Sequence, residues 1–220
     1  MGAKITVEKA NSLFWLGRYI ERVYTTTLYY TKLFDIMLDQ DPEAYHEYAK
    51  QLDIDDIYEN DAHFMMSYLY DLSNSDSIAS NLKRAYDNAI VLRDEISSEV
   101  LAYMQMAINT FENMDESEAP ILSLQDVVDD IFAFWGSMQE YMDEGAAKEI
   151  IKLGKYIERI DLYVRLDYPK KETIIAHKKL YNHLDALLLD SNIEGIKRVA
   201  DTEYSFLTDL VYDVTSCFNY

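Results

Sequence analysis

Two glutamates recur in one local setting. The heptapeptide Leu16-Gly17-Arg18-Tyr19-Ile20-Glu21-Arg22 returns 137 residues later as Leu153-Gly154-Lys155-Tyr156-Ile157-Glu158-Arg159, and only Arg18 is changed, to Lys155. On a helix of roughly 100° per residue, Glu21 falls about 40° from Gly17, between it and Phe14. Glu158 falls between Gly154 and Ile151 in the same way. Each carboxylate therefore lies inside an apolar arc, where it needs a cationic or hydrogen-bonding partner. Such a group either forms a structural ion pair or serves a metal or anion site. The balance favours the ion pair, because buried pairs are common in proteins without catalysis.

Arg22 and Arg159 are turned roughly 100° from their own glutamates, and neighbours in sequence do not face one another on a helix. Their partners must come from another element. Gly17 and Gly154 lack side chains and let a second helix approach closely. The two copies are thus expected to pack near each other, or against a shared third helix, with acid and base exchanged across the contact and both glutamates buried.

A basic stripe lies around the second copy. Lys148, Lys152, Lys155 and Arg159 follow the spacing of one helical face and belong to a group of nine basic residues between Lys148 and Lys179. On so acidic a chain the stripe either docks against the chain's own acidic helices, which is the favoured reading, or awaits an external anion, and the expected role of Arg159 is internal. Lys148, Lys152 and Lys155 are candidates for contact with an anion or a partner, with Lys148 and Lys152 as the exposed members. Elsewhere the chemistry is sparse. Di-iron helical proteins use two Glu-x-x-His pairs, and only Glu43-Ala44-Tyr45-His46 has that spacing, because His63, His177 and His183 lack a glutamate three positions earlier. There is no phosphate loop, nucleophile elbow or His-Glu-x-x-His motif. No metal, cofactor or catalytic residue is expected.

The elements that would position these groups are helices. Three prolines and six glycines occur in 220 residues, and apolar residues recur at three- and four-residue intervals without two-residue alternation. The expected fold is all-α, a single-domain bundle of about seven to eight helices with an internal pseudo-repeat, its halves near 1–118 and 119–220. A first helix should run from an N-cap at Thr6 to about Asp39, on the order of 50 Å at 1.5 Å per residue. Shorter helices should follow through Tyr45 to Leu52 and from about Ala62 to Leu72. One long helix is expected from about Ser77 to Phe111 with a bend at Ser97-Ser98. Further helices should cover about Leu124 to Met142, the second repeat up to Tyr168-Pro169, Lys171 to Leu189, and Ile193 to Phe218. The nineteen tyrosines are read mainly as packed rings with hydroxyls seeking partners.

Forty acidic against twenty basic residues give a formal charge of −20, which argues against nucleic-acid and anionic-membrane binding. The single cysteine, Cys217, suits a reducing compartment. No apolar run approaches a membrane span, and the N-terminus leads into an amphipathic helix without a secretory segment. A cytoplasmic protein is the expectation.

The segment Asn11 to Arg22 resembles the N-terminal signature of the bacterial alpha-E domain family, a helical group named for its Glu-Arg motif, and Leu153 to Arg159 resembles its second Glu-Arg helix. Between them, Ser75 to Ile78, Arg84 to Asn88 and Leu92 to Glu99 are similar to the family's capped helix with spaced arginines and acids, although Asp87, Asp94 and Leu101 depart from the pattern. The resemblance places Gly17, Arg18, Tyr19, Glu21, Arg22, Arg84, Arg93, Glu99, Gly154, Tyr156, Glu158 and Arg159 in a motif or structural polar core. It further implies a non-catalytic scaffold or adaptor acting with an ATP-grasp-type peptide or amide ligase and a transglutaminase-like protein, in peptide formation or tagging. The alternative is a metal- or anion-binding helical enzyme that uses Glu21 and Glu158 with Arg22 and Arg159.

Overall fold

A computed structural model describes residues 5–114, 121–187, 211–216 and 218. Among them the chain is all-α, with no strand. The helices are α1 (Val7–Asp39), α2 (Ala44–Leu52), α3 (Asp61–Tyr70), α4 (Ile78–Val91), α5 (Ser98–Glu112), α6 (Ile121–Tyr141), α7 (Ala146–Arg165) and α8 (Lys170–Ala186), followed by a short α9 at 211–216. The expected helix from Ile193 lies largely outside the described residues, as does Cys217.

Local chemistry sets the ends. Thr6 accepts a hydrogen bond from the Lys9 amide at the start of α1, as an N-cap does. Asp53 adopts a left-handed conformation (φ 57°) that closes α2, and Asp167 (φ 51°) follows α7 two residues before Pro169, which disfavours helix in its predecessor. One expectation fails here. The long helix from Ser77 to Phe111 is two helices, because α4 closes in tight turns on the Leu92 carbonyl. Ser97 is extended (ψ 162°) and accepts from the Val100 amide as the cap of α5. The serine pair is a new start rather than a bend.

The chain groups into two compact units: residues 1–21 with 143–220, and residues 22–142. The second unit holds 24 of the 40 acidic residues but only 6 of the 20 basic ones, so it carries most of the net negative charge. Its core includes a nest of rings from α1, α2, α3 and the segment before α3. Phe64 stacks on Tyr45 and Tyr68 and meets Tyr48 and Tyr58 edge-on. Three of the hydroxyls are paired: Tyr48 and Tyr68 share a hydrogen bond of 3.0 Å, and Tyr30 donates to the Met65 carbonyl. Burial pushes the Tyr68 hydroxyl up to about 12. Many tyrosines are thus core residues whose hydroxyls stay paired. In the same unit α5 packs on α6 and α4, and Thr110 donates to Asp130 at 2.7 Å.

The first unit combines the N-terminal part of α1 with α7, α8 and α9. Its apolar core includes Leu13, Phe14, Leu16 and Ile20 of α1, Ile151, Leu153, Ile157 and Ile160 of α7, and Leu180 and Leu184 of α8. The ring of Phe14 stacks on Phe218 at 4.2 Å.

Candidate functional site: the Glu-Arg helix pair

The repeated glycines touch the opposite backbone. A Cβ added to Gly17 would stand 2.0 Å from the Ile151 carbonyl oxygen, and one added to Gly154 would stand 2.0 Å from that of Phe14. Phe14 and Ile151 occupy the same place in the two copies, so each copy packs on its counterpart in a near-symmetric contact. The hydrogen that replaces a side chain on each glycine points at a carbonyl oxygen, the geometry of a weak Cα–H···O contact. The contacts advance along both helices together, from Phe14 with Gly154 to Glu21 with Arg159. The two segments therefore cross while running in the same sense.

This crossing brings acids and bases together. Glu21 and Glu158 are both fully buried. Arg159 grips Glu21 with two hydrogen bonds, Nε to Oε1 at 2.5 Å and Nη2 to Oε2 at 2.9 Å, a fork that fixes direction as well as charge. Arg18 donates from Nε to Glu158 Oε2 at 2.6 Å and from Nη1 to Thr215 Oγ1 of α9 at 3.0 Å. Its guanidinium also lies 4.7 Å from the Trp15 ring, and Trp15 packs on Tyr19. Acid and base are exchanged across the glycines. Arg18, which sequence reasoning did not single out as a partner, donates to Glu158. Arg22 falls in the second unit, where its charge helps to hold down the Tyr68 hydroxyl.

The second copy carries a further layer on its α8 side. Tyr156 stacks on His183 at 5.4 Å, His183 Nδ1 meets Glu149 Oε2 at 2.7 Å, and Lys152 reaches Glu149 Oε1 at 3.5 Å. Lys155, the counterpart of Arg18, is pulled down to about 7 by burial. Glu21 opposes that fall, and Arg159, Lys179 and Lys152 reinforce it. Burial also works against the charge of Arg159, but the attraction and hydrogen bonds of Glu21 outweigh it and leave the guanidinium above its ordinary range.

Other candidates separate from this cluster. Lys148, expected to be exposed, is 1% exposed and donates to Glu144 at 2.7 Å. Its four-carbon stem lies in the apolar interior while the amine reaches a carboxylate at the surface. Lys152 is partly covered. Arg84 lies in the second unit and donates to the Ser75 carbonyl at 2.7 Å. Arg93 and Glu99 of that unit are exposed, so they do not belong to a buried polar core. Glu99 stands in the first turn of α5, where a negative charge favours the helix N-terminus. Glu43 precedes α2 rather than lying on it, and His46 pairs with Asp56 at 2.5 Å. Among the described residues, no group of three or more His, Cys, Asp or Glu side chains could hold a metal ion. His183 and Lys179 were missed as neighbours of the motif, because only their i, i+4 spacing on α8 placed them on one face.

A family described as a predicted alpha-helical domain with a conserved ER motif, Alpha-E, matches residues 8–191. The chain belongs to the Alpha-E family. No curated protein matches it, and no solved structure does. In this Alpha-E chain the Glu-Arg residues of both copies fall within the matched span, and the glycine crossing joins α1 to α7 inside the first unit. Among the described residues, no helix is long and apolar enough to cross a membrane.

Proposed function

We propose that this Alpha-E chain is a non-catalytic helical scaffold or adaptor that works in the cytoplasm with an ATP-grasp-type peptide or amide ligase and a transglutaminase-like protein, in peptide formation or tagging. One observation carries the non-catalytic part. The motif carboxylates are fully buried, and Arg18 and Arg159 engage them at hydrogen-bond distance. An acid held in that way organises a helix contact and cannot reach a substrate without breaking a buried pair. The ligase partnership is implied by the family resemblance.

The test is reconstitution from the same source. The purified chain, the ligase and the transglutaminase-like protein are mixed, association is measured by calorimetry, and ligase products are followed by mass spectrometry. The scaffold reading expects association together with a change in ligase product or rate when the chain is added, and no turnover by the chain alone. Turnover by the isolated chain, stoichiometric iron or manganese in the purified protein, or absence of association would overturn it.

A further inference from the structure

We propose that the exposed face of α6 around Gly136 and Phe132, with Tyr24 and Leu28 of α1 beside it, docks a basic amphipathic helix of a partner protein. At Gly17 and Gly154 a helical glycine marks the place where a second helix crosses backbone on backbone. Gly136 also lies inside a helix, away from either end of α6, where glycine is a poor helix former. Yet nothing lies within 4 Å of a Cβ added there, so no contact at that position calls for the missing side chain. One turn earlier the Phe132 ring is 54% exposed and meets Tyr24 edge-on at 5.2 Å. Leu28, one turn beyond Tyr24, is 39% exposed. All four residues belong to the second unit, and they offer an incoming helix a backbone to approach and apolar surface to cover. This face is independent of the ligase reading.

Charge decides the occupant. Leu122, Gln125, Asp129, Phe132 and Glu140 fall within about 40° of Gly136 around the helix, and all are exposed. The charged groups of α6 are Asp126, Asp129, Asp130 and Glu140, with no lysine or arginine among them. Arg22 and Lys32, the basic residues of α1 in this unit, are turned about 160° and 80° from Tyr24, and Lys32 lies 5.5 Å from the Tyr29 ring on that side. A second copy of this face would set acid against acid, at a cost that grows with closeness. A helix with lysine or arginine flanking an apolar stripe instead sets base against acid and covers the exposed ring, and its charge steers the encounter.

Fluorescence anisotropy of the full chain with a labelled peptide of about 18 residues, five helical turns of leucine and lysine in amphipathic order, tests the face. The control peptide carries glutamate in place of lysine. The expected result is saturable, equimolar binding of the lysine peptide and none of the glutamate peptide. Gly136→Leu should weaken binding about tenfold or more, while its urea midpoint stays at or above that of the wild type, because the new side chain enters open space and improves the helix. Phe132→Ser should weaken binding several-fold, and Ala102→Leu, at an exposed position of α5, should leave it unchanged. Failure of the lysine peptide to saturate the wild-type chain would overturn the proposal. Binding that survives intact in both Gly136→Leu and Phe132→Ser would overturn it too, by assigning the attraction to general charge. A dimer of the chain alone that Gly136→Leu dissociates, read by sedimentation, would overturn it in favour of a second copy.

Discussion

Replacing Lys155 by methionine should stabilise the protein, and by an amount that depends on pH in a fixed direction. The ammonium belongs near 10.5 in the unfolded chain and is held near 7 in the fold. Between these values the unfolded chain binds more protons, so the contribution of Lys155 to stability rises with pH across that window. Below about pH 7 the folded state carries a buried charge at full cost. At about 1.36 kcal/mol per pH unit the interval corresponds to an upper bound of about 5 kcal/mol. Partial exposure of the side chain and solvent screening reduce that to about 2–3 kcal/mol. Methionine keeps much of the length and apolar contact while removing the charge. Urea unfolding of both proteins at pH 6, 8 and 10 should show the variant ahead by about 2–3 kcal/mol at the lowest pH, with the gap closing toward the highest. A variant that is less stable at pH 6, or a gap that stays constant with pH, would refute the reasoning.

The glycine contact gives a test by sign: Gly17→Ala should destabilise by more than about 2 kcal/mol, because its methyl group meets backbone that cannot turn aside. The control Gly136→Ala in α6 has open space around it and should gain up to about 1 kcal/mol in helix propensity, both read by chemical denaturation. Glu21→Ala leaves the Arg159 guanidinium without its fork and should cost about 3 kcal/mol, measured as a shift in the urea midpoint at constant slope. Charge reversal should separate the basic stripe into two classes in thermal unfolding at low and high salt. Lys152→Glu should lose about 1 kcal/mol or less, in a salt-sensitive way, whereas Arg159→Glu should lose several times more with little relief from salt.

Much of this site can be read from residue order, and the failures have definite causes. The angular position of Glu21 and Glu158 inside an apolar arc follows from helix geometry and matches their complete burial. Glycine at the same place in both copies pointed to close approach, and the carbonyls of Phe14 and Ile151 show what approaches. What residue order does not carry is which cation across a crossing reaches which acid. Arg18 reaches Glu158 across the crossing, and that reach depends on the register of the two helices rather than on periodicity. Lys148 was misread for a related reason: wheel position marks a direction from the helix axis, and only the neighbouring chain decides whether that direction is open. The break at Ser97 shows local capping chemistry overriding a continuous apolar pattern.

The one difference within the repeated heptapeptide also locates the departure from symmetry. Arg18 donates from Nε to Glu158, and across the contact the charge of Glu21 acts on Lys155, its counterpart, while Arg159 forks onto the same carboxylate. Lysine at 155 supplies a single ammonium where arginine supplies a rigid fork, and the two are not interchangeable at a bidentate site. Burial, with the charges of Arg159, Lys179 and Lys152, outweighs the pull of Glu21 on the Lys155 amine and brings it down to about 7, so that it is about half protonated at neutral pH. Arginine there would remain charged throughout the physiological range. A single change from arginine to lysine thus keeps the glycine crossing of both copies and gives the second copy a titratable group at the place where the first keeps a permanent charge.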